Sequence, residues 1–263
     1  MKTNAIITGA GRNAGIGAEV CRTLARKGIN IYFTSFDQYD ASIGGFDASD
    51  YNKTLQECLS LGIKASFRSF DLSMLENICS LFDEAIDTLG SIDILINCLC
   101  YHTFDSINII DDSLLNANMS INANSVFHLC QEFYRRHEGA NGRIVNLSST
   151  QNLEPLTSEI SYAISKAVVP AIVYTLAPIM ASKGITINAV NPGATEVGDP
   201  SDKNIRFYRD CNQFGRLGNT KDAANIICFL ASEQGIWITG QTINSEGGIY
   251  RGLTKFDPIK DAD

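Results

Sequence analysis

Seven short apolar segments, separated by stretches of helical periodicity, constrain the fold of this chain more than any other feature. They are rich in isoleucine and valine and alternate little with polar residues, which indicates strands buried on both faces, as in a parallel sheet. Because helical patterns fill the gaps, the order favours an α/β fold: a doubly wound parallel sheet of about seven strands with helices on both faces. The predicted strands are NAIIT, INIYFTS, IKASFRSF, IDILINC, GRIVNLSS, GITINAV and GQTINS.

The predicted helices occupy the intervals between these segments, where apolar residues recur every three or four positions. The connection Phe36–Asp50, after the second strand, is longer than the others and is predicted to be an exposed loop. No repeat or linker divides the 263 residues, so we expect one domain, 1–263. The helices are predicted at 15–27, 51–61, 73–89, 111–136, 160–182 and 220–232.

Charge and composition exclude several classes of partner. A formal net charge of −8 argues against nucleic acid and does not favour anionic membranes. The uninterrupted apolar runs are shorter than the roughly 18 residues that a membrane span needs, and the first is too short for a secretory signal. We therefore expect a cytoplasmic chain whose eight cysteines are reduced. The histidines, His102, His128 and His137, lack ligand spacing, so no metal site is expected.

The segment TGAGRNAGIG, residues 8–17, lies where a nucleotide would bind. Surface turns are also rich in glycine, so the run alone decides little. It follows a predicted strand and precedes a predicted helix, which is the placement that the dinucleotide fingerprint requires. The N-terminus of that helix offers free N–H groups and the positive end of its dipole to a phosphate. Together, the motif and its context favour dinucleotide binding.

A second informative pair, Tyr162 and Lys166, stands four residues apart on a predicted helix and so shares one face. A neighbouring ammonium lowers the pKa of a phenol, and such a tyrosine exchanges a proton with a carbonyl or an alcohol. In isolation, an exposed tyrosine and lysine on an amphipathic helix explain the pair better. Ser149, however, ends a buried strand 13 residues earlier, at the sheet edge where open α/β folds bind ligands.

These motifs, taken in order, resemble the short-chain dehydrogenase/reductase superfamily over nearly the full chain, and within it the bacterial members similar to 3-oxoacyl-acyl-carrier-protein reductases. The resemblance implies a Rossmann fold and hydride transfer between a nicotinamide and a carbonyl or secondary alcohol, with a 3-oxoacyl thioester as one candidate substrate. The matching segments are TGAGRNAGIG, DILIN, INANSVF, GRIVNLSS, YAISK, INAVNPG and FLASEQGIWITGQTINSEGG.

The resemblance also implies roles for individual residues. Tyr162 matches the proton donor, Lys166 the residue that lowers the pKa of that tyrosine and binds the nicotinamide ribose, and Ser149 the hydroxyl that bonds the substrate carbonyl. Asn122 matches the helix residue that holds a water linking the lysine to solvent. Besides Tyr162 and Lys166, the implied cofactor-binding residues are Gly9, Gly11, Arg12, Gly15, Ile16, Gly17, Ser35, Asp71, Leu72, Asn97, Pro192, Gly193 and Thr195.

Three departures from the family pattern are visible. Five residues, not three, separate TG from GIG in the glycine loop, which we interpret as an insertion on the adenosine-phosphate side. The segment NCLC, residues 97–100, replaces Asn-Asn-Ala-Gly and adds bulk beside the cofactor. Val197 stands where a threonine often contacts the nicotinamide, and Thr195 is near but not at that position.

These departures leave two alternatives open. Cys98 and Cys100 are interpreted as small space-filling residues, with a redox-sensitive thiol as the alternative. An active oxidoreductase is favoured by the intact set of proton-transfer residues. The alternative is a nucleotide-binding regulatory or scaffold protein of the same fold, supported mainly by the bulk of NCLC.

The cofactor is predicted to be NADP(H) in preference to NAD(H). Ser35 ends the second strand where NAD enzymes of this fold carry an acidic residue, and Arg12 is placed to meet a 2′-phosphate. Asp37 and Asp40 oppose this preference if their carboxylates turn inward.

The assembly and the substrate region are expected from the helices and from the resemblance. The helices at 111–136 and 160–182 carry more apolar residues than one buried stripe requires, which favours a homotetramer. A substrate lid is expected at about 194–217, with Arg206 and Arg209 as candidates for an anionic carrier, although a solvated helix face explains them better.

Overall fold

A parallel sheet forms the centre of the computed structural model, which describes residues 3–42, 50–153, 155–197, 209 and 212–248. Seven strands of these described residues pair in the order β3-β2-β1-β4-β5-β6-β9, and every pairing is parallel. The predicted α/β class and the predicted strands are thus confirmed. The strands are β1 (Asn4–Thr8), β2 (Asn30–Ser35), β3 (Ala65–Ser69), β4 (Ile94–Asn97), β5 (Arg143–Leu147), β6 (Thr186–Asn191) and β9 (Thr242–Asn244).

Both faces of the sheet are buried, as the continuous apolar runs predict. Successive side chains of a strand point to opposite faces, so Ile6 enters one core cluster while Ala5 and Ile7 enter the other. All residues of β1, β2, β4, β5 and β6 are buried. Helices therefore have to cover both faces, which a doubly wound connection provides.

The helices lie close to their predicted positions, with ends that differ by one or two residues. The predicted helix at 73–89 begins at Leu75, and the one at 220–232 ends at Leu230. The helices are α1 (Ile16–Arg26), α2 (Asp37–Ser42), α3 (Asp50–Ser60), α4 (Leu75–Leu89), α5 (Asp112–Met119), α6 (Val126–Arg136), α7 (Ile160–Ala181) and α8 (Thr220–Leu230).

The connection Phe36–Asp50 is not the loop that its polar composition predicts. Helix α2 forms directly after β2, and Asp50 already begins α3. Helix α2 buries no residue completely and is only six residues long, so it lacks the apolar periodicity from which helices are predicted. Residues 43–49 of this connection lie outside the described part of the chain.

The single helix predicted at 111–136 is interrupted by a π-helical segment, Ser120–Ser125, between α5 and α6. Such wide turns are rare and are frequently found at functional sites. Asp111 caps the start of α5, where its Oδ1 accepts a hydrogen bond from the Leu114 N–H at 2.8 Å. The helical path is therefore continuous, but its middle turn is widened around Asn122.

Helix α7 is long and apolar enough to span a membrane by length and composition, which the uninterrupted runs of the sequence do not indicate. It packs against β6 and α5 in the core, and Val169 and Val173 on it are fully buried. The core helix of a globular protein passes the same test of length and composition. The apolar character of α7 is therefore explained by packing on one side, while its other side leaves apolar residues exposed.

Most of the expected lid, 194–217, lies outside the described residues. At its two ends, Thr195–Glu196 (β7) and Gly218–Asn219 (β8) form a short parallel pair that the sequence pattern does not reveal. Arg206 lies outside the described residues, and Arg209 is exposed.

Candidate active site at the carboxyl edge of the sheet

The strand order reverses between β1 and β4, and the carboxyl ends of these two strands open a crevice there. In open α/β sheets, ligands bind at this switch point. The loop after β1 and the loop after β4 form the floor of the crevice, and they touch: a Cβ on Gly9 would lie 2.6 Å from the Leu99 Cα. Gly9 also has a φ of 69°, so only glycine fits this position without strain.

The glycine loop is held tightly against α1. A Cβ on Gly17 would lie 2.5 Å from the Gly9 carbonyl oxygen, so this residue has to be glycine for the helix to approach the loop. Gly15 is the N-cap of α1 and provides no side chain to bond the first N–H groups of the helix, of which Ile16 is the first residue. The open N–H groups and the positive end of the helix dipole fit the phosphates of a dinucleotide.

The longer glycine loop is held by contacts with α1 and α3. The Gly15 N–H donates to the Arg12 carbonyl at 3.0 Å, which closes a turn over residues 12–15. Arg22 of α1 donates to the Asn13 carbonyl at 3.0 Å, and the Thr54 hydroxyl of α3 donates to the Asn13 Oδ1 at 3.2 Å. The longer loop is therefore anchored on α1 and α3 through Asn13.

Carboxylates surround the glycine loop on its β2 side. Ser35 is buried at the end of β2, and its hydroxyl donates to the Asp37 carboxylate. Asp40 on α2 forms an ion pair with Arg12, with Oδ1 and Nε 3.3 Å apart. Burial raises the pKa of Asp40, and the adjacent guanidinium of Arg12 partly opposes that rise. Arg12 is thus engaged by a carboxylate, and Asp40 turns inward.

Three further residues of the expected cofactor site lie at the same sheet edge. Asp71 follows β3 and accepts a hydrogen bond from the Ser73 N–H at 3.0 Å, whereas the side chain of Leu72 is buried in the core. Asn97 ends β4, and its amide donates to the Asn146 Oδ1 at 2.8 Å. Asn97 thereby links the carboxyl ends of β4 and β5 and is itself buried.

The NCLC segment directs its largest side chain, Leu99, away from the crevice. The Leu99 side chain lies in the hydrophobic core, so the bulk predicted beside the cofactor is directed into the protein. Cys98 is buried, which raises the pKa of its thiol to about 12 even though Lys166 nearby acts in the opposite direction. Cys98 is therefore not a reactive thiolate. Cys100 alone of the pair is exposed.

Tyr162 lies one turn into α7 and is partly exposed. The Ser149 hydroxyl and the Cys100 thiol are near its own hydroxyl. Burial raises the pKa of Tyr162 well above its usual value; the nearby Cys100 thiol raises it further, and the nearby Ser149 hydroxyl lowers it. Desolvation of the phenol is the largest effect on this pKa, and the role implied for Lys166 in lowering it stays a prediction. The structure does bring Tyr162 and Ser149 together, as the spacing predicts.

Lys166 is buried one turn after Tyr162 on α7, and its ammonium is bonded to the backbone of a strand end and of a loop. Its Nζ donates to the Leu147 carbonyl at 3.1 Å and to the Leu99 carbonyl at 3.4 Å. The lysine thereby ties the end of β5 to the loop after β4. These two carbonyls hold the charge at the crevice floor, where a cofactor ribose would pass in this fold.

Asn122, in the π-helical segment, clamps the loop after β4. Its Oδ1 accepts from the Tyr101 N–H at 2.8 Å, and its Nδ2 donates to the Tyr101 carbonyl at 2.7 Å. The same Nδ2 lies 3.0 Å from the Ser165 Oγ on α7. One buried amide therefore connects the widened helix, the loop after β4 and the helix that carries Tyr162.

Two side chains near Tyr162, those of His102 and Asp105, are not predicted from the sequence to belong to this site. The His102 ring meets the Tyr162 ring edge-on, with centroids 4.8 Å apart, and its Nε2 pairs with the Glu159 carboxylate at 3.1 Å. Asp105 is buried and caps α7, where its Oδ2 accepts from the Ser161 N–H at 3.0 Å. More than 50 residues separate Asp105 from the helix that it caps, so no local sequence pattern predicts this capping contact.

The residues after β6 line the far side of the crevice. Gly193 has a φ of 67°, and a Cβ there would lie 2.5 Å from the Glu246 Cβ. The Thr195 hydroxyl donates to the Pro192 carbonyl at 3.2 Å and so stays within its own loop. Val197 is 41% exposed at the position where the family often has threonine.

This arrangement matches a known family. A family profile described as enoyl-(acyl carrier protein) reductase matches residues 9–250. The chain is 39% identical to the uncharacterized oxidoreductase YjdA of Bacillus subtilis over 251 residues, which cover 94% of this chain and 97% of the relative. This chain belongs to the short-chain dehydrogenase/reductase superfamily.

Two further members of the superfamily bear on the expectations. The chain is 30% identical to the 3-oxoacyl-acyl-carrier-protein reductase of Buchnera aphidicola over 254 residues, covering 95% of this chain and 98% of the relative. A short-chain dehydrogenase from Burkholderia cenocepacia in complex with NADP superposes with a TM-score of 0.85 at 24% identity, over 94% of this chain and 97% of the other. The expected superfamily and its Rossmann fold are confirmed.

Proposed function

We propose that this superfamily member is an NAD(P)(H)-dependent oxidoreductase that transfers a hydride between nicotinamide and a carbonyl or secondary alcohol. The proximity of Ser149 to the Tyr162 hydroxyl, near buried Lys166 at the switch point of the sheet, carries the proposal. The glycines at 9 and 17 and the open N-terminus of α1 fit a dinucleotide, which supplies the hydride when bound.

Each side chain then has a distinct task. The Ser149 hydroxyl orients the substrate oxygen, and Tyr162 gives that oxygen a proton in reduction or accepts one in oxidation. Lys166 supplies positive charge at the crevice floor to stabilise the phenolate and to bind the cofactor ribose. Asn122 keeps the π-helical turn open beside Ser165, where a water can connect the lysine to solvent.

The dinucleotide is assigned to the crevice edge from the glycine loop to β6. Gly11, Arg12, Gly15, Ile16 and Gly17 hold its phosphates, and Ser35, Asp71 and Leu72 border its adenosine. Asn97, Pro192, Gly193 and Thr195 border its nicotinamide half. The scaffold alternative depended mainly on bulk in NCLC, and the burial of the Leu99 side chain in the core speaks against it, while Cys100 remains exposed.

Two measurements test the function. Calorimetric titration with NADPH and with NADH measures cofactor binding, and a panel of aldehydes, ketones and 3-oxoacyl thioesters measures carbonyl-dependent oxidation of each reduced nicotinamide. We expect binding of at least one nucleotide and turnover of at least one carbonyl class. Nucleotide binding without turnover of any carbonyl or alcohol would favour the scaffold alternative.

We propose NADP(H) in preference to NAD(H). Arg12 presents a buried Nη2 without a hydrogen-bond partner in the described part of the chain, and the preceding residue, Gly11, packs against buried Ser35. A 2′-phosphate would compete with Asp40 for this guanidinium, and arginine pairs well with phosphate oxygens. The NADP named with the Burkholderia cenocepacia relative is consistent with this preference.

Arg12→Ala is expected to weaken NADPH binding about three- to tenfold, because one partly exposed charge-assisted contact is lost. NADH binding should change little. Titration of both nucleotides into the wild type and the variant measures the difference, with Arg26→Ala on the exposed end of α1 as the control. Equal affinity for both nucleotides, unaltered by Arg12→Ala, would contradict the preference.

The contact between Cys100 and Tyr162 predicts a pH effect. In alcohol oxidation Tyr162 has to be deprotonated, so the rate falls as the pH drops below the pKa of Tyr162, which the Cys100 thiol helps to raise. Cys100→Gly restores the residue usual in the family. It is expected to shift the acidic limb of the pH profile of kcat/KM, where the rate falls, to lower pH. Cys79→Ala on α4 is the control, and a profile that Cys100→Gly leaves unchanged would refute the contact.

We also propose a cytoplasmic homotetramer. The outer side of α7 exposes Ile164, Tyr174 and Ile179, and beyond α8 Trp237 is 95% exposed. Two separate apolar surfaces of this kind favour two interfaces, as a tetramer with two kinds of contact needs. Sedimentation velocity at micromolar concentration is expected to give a tetramer, and a species of monomer size alone would refute it.

The substrate lid and the domain extent stay predictions. We assign the chain 1–263 to one nucleotide-binding domain and the segment 194–217 to the lid, whose ends are joined by the β7–β8 pair. An acyl thioester is one candidate substrate among carbonyl compounds, in line with the activity named for the Buchnera aphidicola relative.

A further inference from the structure

Helix α2 contacts the loop after β4, although it follows β2. The Tyr39 hydroxyl oxygen accepts a hydrogen bond from the His102 N–H at 2.8 Å, and the Tyr39 ring lies against the Tyr101 ring with centroids 4.9 Å apart. Tyr39 is partly buried in this contact, which raises its pKa to about 12, so its hydroxyl stays protonated at physiological pH. The contact joins residues 63 positions apart in the chain.

The sheet topology makes this contact a bridge across the crevice. Strand β1 pairs with β2 on one side and with β4 on the other, so β2 and β4 are about 10 Å apart, two strand spacings. The bond from Tyr39 to His102 therefore passes over the carboxyl end of β1. The glycine loop begins there, and the proposed dinucleotide path runs along the same edge.

The second anchor of α2 lies on the glycine loop itself. A Cβ on Gly11 would lie 2.9 Å from the Asp40 Oδ2, so the carboxylate is in contact with the loop backbone. Asp40 is fastened there by Arg12. Tyr39 and Asp40 are neighbours in sequence, and they attach α2 to opposite sides of the same groove.

We propose that Tyr39 and Asp40 control dinucleotide binding: they fasten α2 as a strap across the groove, and the adenosine end of the cofactor has to displace it. The inference rests on the proposed function, because it concerns the same nucleotide. Asp40 occupies the space next to Gly11. In the proposed binding mode, the adenosine ribose or its phosphate needs that space. Nucleotide binding then includes breaking two contacts of the free protein, which lowers the apparent affinity.

The strap is also connected, through His102, to the part of the site that contains Tyr162. His102, whose N–H bonds Tyr39, places its ring against Tyr162 and pairs with Glu159. When Tyr39 leaves, the backbone of His102 loses a partner beside Tyr162. Binding of the adenosine half therefore alters the surroundings of Tyr162 through His102, which contacts both Tyr39 and Tyr162.

Two variants separate the two anchors. Tyr39→Phe keeps the ring contact and removes the bond to His102, whereas Asp40→Asn removes the charge that holds Arg12. Tyr51→Phe is the matched control. Tyr51 lies on α3, the next helix, and its ring stacks on that of Phe67 with centroids 4.0 Å apart, away from the crevice. Calorimetry with NADPH and NADH measures affinity, and hydrogen exchange measures protection of the His102 N–H.

Tyr39→Phe is expected to tighten binding of both nucleotides about three- to tenfold, the equivalent of one net hydrogen bond. Asp40→Asn should tighten NADPH binding more than NADH binding, because it also removes a negative charge facing the 2′-phosphate. In the wild type, nucleotide should speed exchange of the His102 N–H, and in Tyr39→Phe that exchange should already be fast.

Weaker or unchanged binding in Tyr39→Phe, with a wild type that binds nucleotide, would overturn the strap and leave the proposed function standing. Greater protection of the His102 N–H on nucleotide addition would also overturn it, because α2 would then close over the bound cofactor. Binding by Tyr39→Phe but not by the wild type would support the strap strongly. Failure of the wild type and both variants to bind any nicotinamide nucleotide would overturn the proposed function together with this inference.

Discussion

Tyr162→Phe is expected to lower kcat for any accepted carbonyl by about 10² to 10⁴, the usual contribution of a positioned acid or base. The substitution removes the hydroxyl that lies beside Ser149 and keeps the ring that packs against His102. The binding of nucleotide should therefore be nearly unchanged. Steady-state kinetics of the variant, together with calorimetric titration of the cofactor, measures the two effects separately.

Tyr51→Phe is a suitable control because it removes a hydroxyl from α3, where the Tyr51 ring stacks on Phe67 with centroids 4.0 Å apart. It should retain full activity. A Tyr162→Phe enzyme that keeps more than a tenth of the wild-type kcat would show that another group supplies the proton, and the assignment of Tyr162 would then be wrong.

Gly17→Ala is expected to weaken nucleotide binding about ten- to a hundredfold, because a methyl group forced into a packed site typically costs 1–3 kcal/mol. The new Cβ would lie 2.5 Å from the Gly9 oxygen and 2.9 Å from the Ala10 Cα, and both are backbone atoms that cannot swing aside. The glycine loop has to move off α1, so the N–H groups at the helix start lose their alignment with the phosphates.

Titration of NADPH measures this effect, and thermal unfolding checks that the variant is folded. Gly218→Ala is the control, since a Cβ there would meet its nearest neighbour at an ordinary 3.4 Å. Unaltered affinity in a folded Gly17→Ala protein would mean that the phosphates are bound elsewhere than at the start of α1.

The sheet and the placement of Tyr162 and Lys166 on one helix could be predicted because their signals are local. Continuous apolar runs identify the strands, and the four-residue spacing of Tyr162 and Lys166 places both on one face of α7. The serine at the end of a buried strand is near that face because the carboxyl ends of parallel strands meet at one edge of the sheet. Ser149 therefore comes close to Tyr162, as expected.

The features that could not be predicted depend on contacts between distant segments. Whether Leu99 faces the crevice or the core is decided by the packing of the loop after β4, and the pattern NCLC does not reveal it. The pKa of Tyr162 depends on burial, which a spacing argument omits. Helix α2 has too few residues for a periodic signal, and its attachment to His102 follows from the strand order.

Hydride transfer itself is the central claim, and isotope transfer tests it most directly. The wild-type enzyme is supplied with a carbonyl from the productive class and with NADPH or NADH carrying deuterium at the transferable position of nicotinamide. Mass spectrometry and NMR of the alcohol then locate the label. We expect one deuterium on the former carbonyl carbon and a proton from solvent on its oxygen, with Tyr162→Phe forming almost no product. Product without deuterium on that carbon, or no oxidation of either nicotinamide with any carbonyl, would contradict the account.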